Sequence, residues 1–247
     1  MQTPSPSRNP KRKRLIAQSV LIVVFLGLLG IFIPLLLRWH ASRAIINAYL
    51  ATKAVHKLQI GAGGRDPQGW LNTDLDPTSK EAFLDASKVF PLPDTSMHYV
   101  HSEHVIEHLT YDGGLVMLQE SFRALDHGGR VRIATPSLVK VVAVLQDPPT
   151  PQAAEYITEK AKWHNYPPTA DPGCFLVNHQ MYSFGHKFLY TPKLLRARLE
   201  TAGFKDIKEY AAGESDDPGL RNVEVRTTWD TAKPNAYETF VLEAVKP

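Results

Sequence analysis

Three residues in the stretch "SEHVIEHLTY" (102–111) have the types and spacing of a reactive centre. His104, Glu107 and His108 stand in the order H-x-x-E-H, which binds zinc when a helix presents both imidazoles to one ion and a third ligand follows. A second group lies upstream in "LQIGAGGRDPQGWLNTDLD". There Gly61 and Gly63 let the backbone turn tightly and bring its N–H groups close to a ligand, and Asp74 can accept two hydroxyl protons of a ribose. The one cysteine, Cys174, excludes an internal disulfide and a Cys-rich zinc module, and reads as packing rather than as a nucleophile.

These residues need elements to position them. "KLQI" (57–60), "WLNTDLD" (70–76), "MHYV" (97–100), "RVRIATP" (130–136), "DIKEYAA" (206–212) and "YETFVLEAVK" (237–246) read as strands. "GGLVMLQESFRALDHGG" (113–129) carries Leu115, Leu118, Phe122 and Leu125 at helical spacing, with Gly128-Gly129 as its stop. "TPKLLRARLETAGF" (191–204) has Thr191 as N-cap, Pro192 at the first helical position and Gly203 past the end. Alternating strands and helices predict an α/β sheet with mostly parallel strands, which binds ligands at its carboxyl edge. "MHYVHS" reads as a strand, so His98 and His101 point away from the face of the helix that residues 104–108 are expected to begin.

Residues 15–37 carry no charge, and a helix of that length reaches about 34 Å, enough for a hydrocarbon core of about 30 Å. No small-x-small cleavage site follows, so an uncleaved anchor is expected rather than a signal peptide. Residues 1–14 read as a disordered basic tail, and 41–247 as the folded domain. Residues 1–40 hold Arg8, Lys11, Arg12, Lys13, Arg14 and Arg38 and no acid; without those six, 22 of the 28 basic residues face 25 acidic ones. The folded part is therefore mildly acidic, and no nucleic-acid partner is expected.

The quoted segments together resemble the class I S-adenosylmethionine-dependent methyltransferases, in particular the small type 11-like branch with a "GWxNxD" second strand. The resemblance is carried in order by "LQIGAGG", "GWLNTDLD", "LDASKVFPLPDTSMHYVHSEHVIEHL", "LDHGGRVRIATP" and "HKFLYTPKLLRARLETAGF". It implies a Rossmann-like sheet with an antiparallel last strand, and S-adenosylmethionine as cofactor. Ile60, Gly61, Ala62 and Gly63 would face the methionine part, Asp74 the ribose and Leu75 the adenine. Asp85 and Ala86 would meet the adenine amino edge, and Ser102, Glu103 and His104 would floor the pocket. Glu107 and His108 recur in that family at a helix start, so the zinc-like order reads as a coincidence of letters and no metal is expected. Residues 61–69 are too few for the usual crossover helix. The methionine carboxylate would be held differently, with Arg65 as one candidate.

Residues 137–190 form an insert expected to cover the acceptor, with Trp163, His164, Tyr166, Asn178, His179, Tyr182 and His186 as contact candidates and His186 as the candidate base. The tether suggests a lipid or glycan precursor as acceptor. Five basic residues before the span, against Arg38 and Arg43 after it, favour a domain outside the cytosol. The cytosolic supply of the cofactor favours the opposite, and the cytosolic side is the expectation. A non-catalytic membrane scaffold of the same fold is one alternative. An NAD(P)-dependent oxidoreductase is another, although position 66 is Asp where the full G-x-G-x-x-G fingerprint needs Gly.

Overall fold

A computed structural model describes residues 10–52, 55–64, 67–167, 171–224 and 232–247. The expected tail falls partly at 1–9, and Arg65 at 65–66, both outside the described residues. The chain divides into two compact units, Met1–Ala44 and Ile45–Pro247.

Helix α1 runs without a break over Pro10–Leu50, past both ends of the uncharged run at 15–37, with Pro34 in its interior. Among the described residues it is the one helix long and apolar enough to cross a membrane, with Phe25–Leu50 reaching a mean hydropathy of 1.5. Its last turns belong to the second unit: Ile46 is buried in the main core and Ile45, Tyr49 and Leu50 pack against it.

That core lies about a seven-stranded sheet built from β1 (Lys57–Ile60), β2 (Leu71–Asp74), β3 (Ala82–Phe83), β4 (Met97–Glu103), β5 (Leu125–Pro136), β6 (Lys205–Tyr210) and β7 (Thr239–Val245), in the order β3-β2-β1-β4-β5-β7-β6. Only β7 runs against its neighbours, antiparallel to both β5 and β6. The order reverses between β1 and β4, which is where open α/β sheets bind their ligands. Pairing of Ile60 with Ser102, and of Glu103 with Ala134, brings the ends of β1, β4 and β5 to one edge.

Between β1 and β2 the described residues contain turns and no helix, as the short spacing required. Tyr49 Oη, from α1, donates to the Gly69 carbonyl at 2.9 Å and so ties that connection to the preceding helix. Helix α2 (Tyr111–Ala124) starts with Thr110 capping Gly113 N–H. It ends earlier than the Gly128-Gly129 stop predicts, because Leu125 is pulled into β5 opposite Met97 and is fully buried there.

The insert folds as α3 (Leu138–Ala143), α4 (Pro151–Trp163) and α5 (Pro172–Tyr182), followed by α6 (Pro192–Thr201) with the predicted Thr191 cap. A short α7 (Ala232–Glu238) takes Tyr237 and Glu238 out of the last predicted strand, which begins at Thr239. Tyr237 instead stacks on Tyr156 of α4 at 4.6 Å.

Candidate functional site

The glycine turn follows β1 directly. Gly61, Gly63 and Gly64 have φ of 68°, 62° and 79°, a region costly for residues with a Cβ. At Gly61 a side chain would overlap Val105, whereas nothing lies within 4 Å of a Cβ built at Gly63 or Gly64. The turn is thus closed on its inner side and open on its outer side.

Two acids hold it. Asp74, at the end of β2, accepts from Gly63 N–H through Oδ2 and from Asp76 N–H through Oδ1, both at 2.9 Å. Glu81 is buried and accepts from Gly64 N–H at 2.9 Å and Thr78 N–H at 2.7 Å. The sequence reading missed Glu81, although "TSKE" (78–81) has the T-x-x-E spacing in which a glutamate returns to its cap residue. Next to this clamp Leu75 is 61% exposed, an apolar side chain left uncovered at the switch point.

The other predicted contacts divide by burial. Ile60, Ala62, Ala86 and Ser102 are buried. Asp85 Oδ1 is engaged by Ser87, accepting from its N–H at 2.9 Å and its hydroxyl at 2.7 Å, which leaves Oδ2 for another donor. Glu103 ends β4 and is buried.

His104 turns away from the glycine turn. With φ of 54° it sets Nδ1 at 3.2 Å from Glu107 Oε1 and Nε2 at 3.0 Å from Thr239 Oγ1. The expected helix start is a single 3-10 turn, Ile106–His108, so His104 and His108 do not share a helix face. Glu107 is fully buried, and Thr135 Oγ1 donates to its Oε2 at 3.0 Å. Burial pushes the Glu107 pKa up, but the His104 hydrogen bond and the nearby imidazoles of His104 and His108 outweigh it and hold the carboxyl below its ordinary value.

What meets His108 comes from the insert. The Glu107 carbonyl accepts from Lys187 N–H at 2.7 Å and Phe188 N–H at 3.1 Å, which docks residues 186–188 onto the turn. His186 then stands edge-on to His108 with ring centroids 4.8 Å apart. Its Nδ1 lies 2.7 Å from the Gln180 carbonyl, an acceptor only, so Nδ1 carries the hydrogen and Nε2 keeps its lone pair. Burial lowers the His186 pKa. Glu107, His108 and His186 each offer a ligand atom, all within 4.8 Å of one another. His98 and His101 do point elsewhere, His98 accepting from His56 N–H and His101 bonded to Gln59.

Rings continue from there through the insert. His186 is 5.5 Å from Phe184, Phe184 is 4.8 Å from His179, and His179 is 3.9 Å from His164, which stacks on Trp163. Burial, then His179 and Lys160, lower the His164 pKa to about 4. The insert is anchored by Glu238, which accepts from Tyr156 Oη, from Lys160 Nζ at 3.2 Å and from Gln180 Nε2 at 2.6 Å. Asn178 is occupied locally, donating to the Cys174 carbonyl, and Tyr182 is 81% exposed. A cavity of about 630 Å³ opens farther along the sheet, between Lys140, Tyr210, Thr239 and Phe240, away from the switch point.

No family model matches the chain, and no curated protein matches it. Solved structures resemble it. A SAM-dependent methyltransferase from Archaeoglobus fulgidus is 17% identical, with 85% of this chain and 93% of that one covered and a TM-score of 0.47. A chain from a Haloferax volcanii complex with the Trm112 methyltransferase activator is 14% identical over 85% and 90%, at 0.45. A SAM-dependent methyltransferase from Thermotoga maritima is 14% identical over 90% and 99%, at 0.44. The likeness is one of fold and says nothing of chemistry. In strand order, in its single reversed strand and in the glycine turn at the switch point, the domain has the Rossmann-like fold of the class I methyltransferases.

Proposed function

We propose that this chain is an S-adenosylmethionine-dependent methyltransferase, anchored to a membrane by α1, with its domain facing the cytosol and an acceptor covered by the 137–190 insert. One observation carries the reading: the turn at the switch point is clamped by Asp74 and Glu81 and open on its outer side at Gly63 and Gly64, with Leu75 uncovered beside it. These residues fit a nucleoside joined to an amino acid. Asp74 keeps lone pairs for ribose hydroxyls beyond the two backbone bonds it accepts, since a carboxylate has about four such sites. Leu75 offers an apolar surface for adenine, with Asp85 and Ala86 at its edge. The turn of Ile60, Gly61, Ala62 and Gly63 faces the methionine part and Ser102 and Glu103 close the floor, whereas His104 is turned to Glu107 and Thr239.

Such a cofactor supplies a methyl group on a positively charged sulfur, which leaves readily. The protein's part is to align the acceptor and exclude water, so positioning carries the rate. His186 is placed to receive a proton from a hydroxyl acceptor, because its bare Nε2 is fixed by the bond at Nδ1. A lipid or glycan precursor suits a tethered enzyme.

Calorimetry of S-adenosylmethionine on the full-length chain in detergent tests this. Binding at one site per chain, weakened by Asp74→Ala, is expected. Absence of binding removes the reading and leaves a non-catalytic scaffold.

A further inference from the structure

We propose that Glu107, His108 and His186 form a divalent-metal site, of the kind that takes zinc, between the end of β4 and the return of the insert. Two imidazoles and a carboxylate are a ligand set that holds zinc while leaving a position open for water or another oxygen. The three ligand atoms already lie within 4.8 Å of one another. Bonds of about 2.0–2.2 Å put tetrahedral ligands roughly 3.4 Å apart, so the side chains must close by up to about 1.4 Å. His108 and His186 are half-buried and can supply that rotation, whereas Glu107 is fixed.

The surroundings are those of a prepared site. A metal-bound histidine commonly gives its other N–H to a carbonyl or carboxylate, which fixes the tautomer and aims the free nitrogen. His186 does this with the Gln180 carbonyl. A ligating carboxylate is itself commonly hydrogen-bonded, and Glu107 is held by Thr135 and faces His104. The backbone bonds from Lys187 and Phe188 to the Glu107 carbonyl set the distance between the two halves of the site.

The expectation of no metal assumed that the H-x-x-E-H order must act as one helical unit. The structure discards His104 as a ligand and recruits His186 in its place. With an ion bound, His186 Nε2 is a ligand and no longer the base, and the open position would take an oxygen of the acceptor, a role that rests on the methyltransferase reading. The metal site itself does not.

The test uses the tag-free full-length chain in detergent, stripped with a chelator and titrated with zinc chloride by calorimetry. One zinc per chain with a micromolar or tighter Kd is expected. His108→Ala and His186→Ala should each weaken it by roughly 100-fold or more, since loss of an outer partner alone commonly costs about 10–100-fold. His127→Ala should bind as the parent does, because His127 sits at the other end of the sheet against Pro247. Zinc-free melting curves show which variants fold, and His186→Ala alone decides if His108→Ala does not. No zinc heat, or binding that survives both substitutions (as ions held by His164 and His179 would), overturns the proposal. S-adenosylmethionine is titrated separately. Zinc without cofactor binding keeps the site and removes the methyl-transfer reading, and cofactor binding without zinc does the reverse.

Discussion

Asp74→Ala separates the job that this carboxylate has in the structure from the one proposed for it at the ribose. The first is to hold the glycine turn through two hydrogen bonds of 2.9 Å, to Gly63 and Asp76. Both donors lie near solvent and can bond water once the carboxylate is gone, so the loss is about 1–2 kcal/mol of stability, or roughly 2–8 °C in Tm for a chain of this size. The second job is to accept ribose hydroxyls, worth about 1.5–3 kcal/mol for bonds to a charged group, or roughly 10- to 150-fold in affinity. Glu81→Gln provides the comparison, because it weakens the same turn through Gly64 without a place at the ribose. Calorimetry with S-adenosylmethionine and thermal melts are run on both. Asp74→Ala should lose clearly more affinity than Glu81→Gln for a similar or smaller fall in Tm. Equal losses of affinity would mean that Asp74 only shapes the loop, and unchanged binding would mean that the cofactor sits elsewhere.

The other predictions are briefer. Gly61→Val should lower stability as well as binding, by roughly 2–5 kcal/mol, because it adds a left-handed backbone cost to a clash with Val105. Val105→Ala in the same chain should recover part of that loss, read by urea unfolding. Arg132→Met should cost about 3–5 kcal/mol, since Arg132 is buried with Glu224 and Glu243 at 2.5 Å and its loss takes the cation from two buried carboxylates; a change under about 1 kcal/mol would contradict this. Stability should fall as pH drops from about 6.5 toward 4. Over that range the unfolded chain protonates His164 while the folded chain resists it, so the unfolded state binds more protons. His164→Phe should flatten that part of a Tm-against-pH curve, and an unchanged slope would show that His164 is not the group responsible.

Where a segment's neighbours in sequence decide its structure, the letters sufficed. β1 falls on "KLQI", and the Thr191-Pro192 start of α6 is a local hydrogen-bonding matter that the sequence states outright. The misses occur where a distant partner wins. Leu125 continues the helical spacing of α2, yet it is drawn into the sheet by its pairing with Met97 and the burial that follows. Tyr237 alternates like a strand residue, yet stacking on Tyr156 and the bonds made by Glu238 place it in α7. Glu81 was passed over because its partners, Gly64 and Thr78, gain meaning only once the turn is closed.

The histidines show the same limit at the candidate site. H-x-x-E-H suggests a unit because its three residues are close in sequence, but closeness along a chain fixes a shared face only on a regular helix. Here the backbone turns at His104 and again through Ile106–His108, so the two histidines diverge about the carboxylate between them. One imidazole is spent on Glu107 and Thr239, and the other is left facing the insert. The constant element is therefore Glu107, whose side chain gathers His104 and Thr135 while its carbonyl gathers Lys187 and Phe188. A buried carboxylate needs partners to share its charge, and Glu107 has the His104 imidazole and the Thr135 hydroxyl beside it. The letters name Glu107, but its place in the fold comes from the Lys187 and Phe188 amides that its carbonyl accepts, which bring His186 to His108.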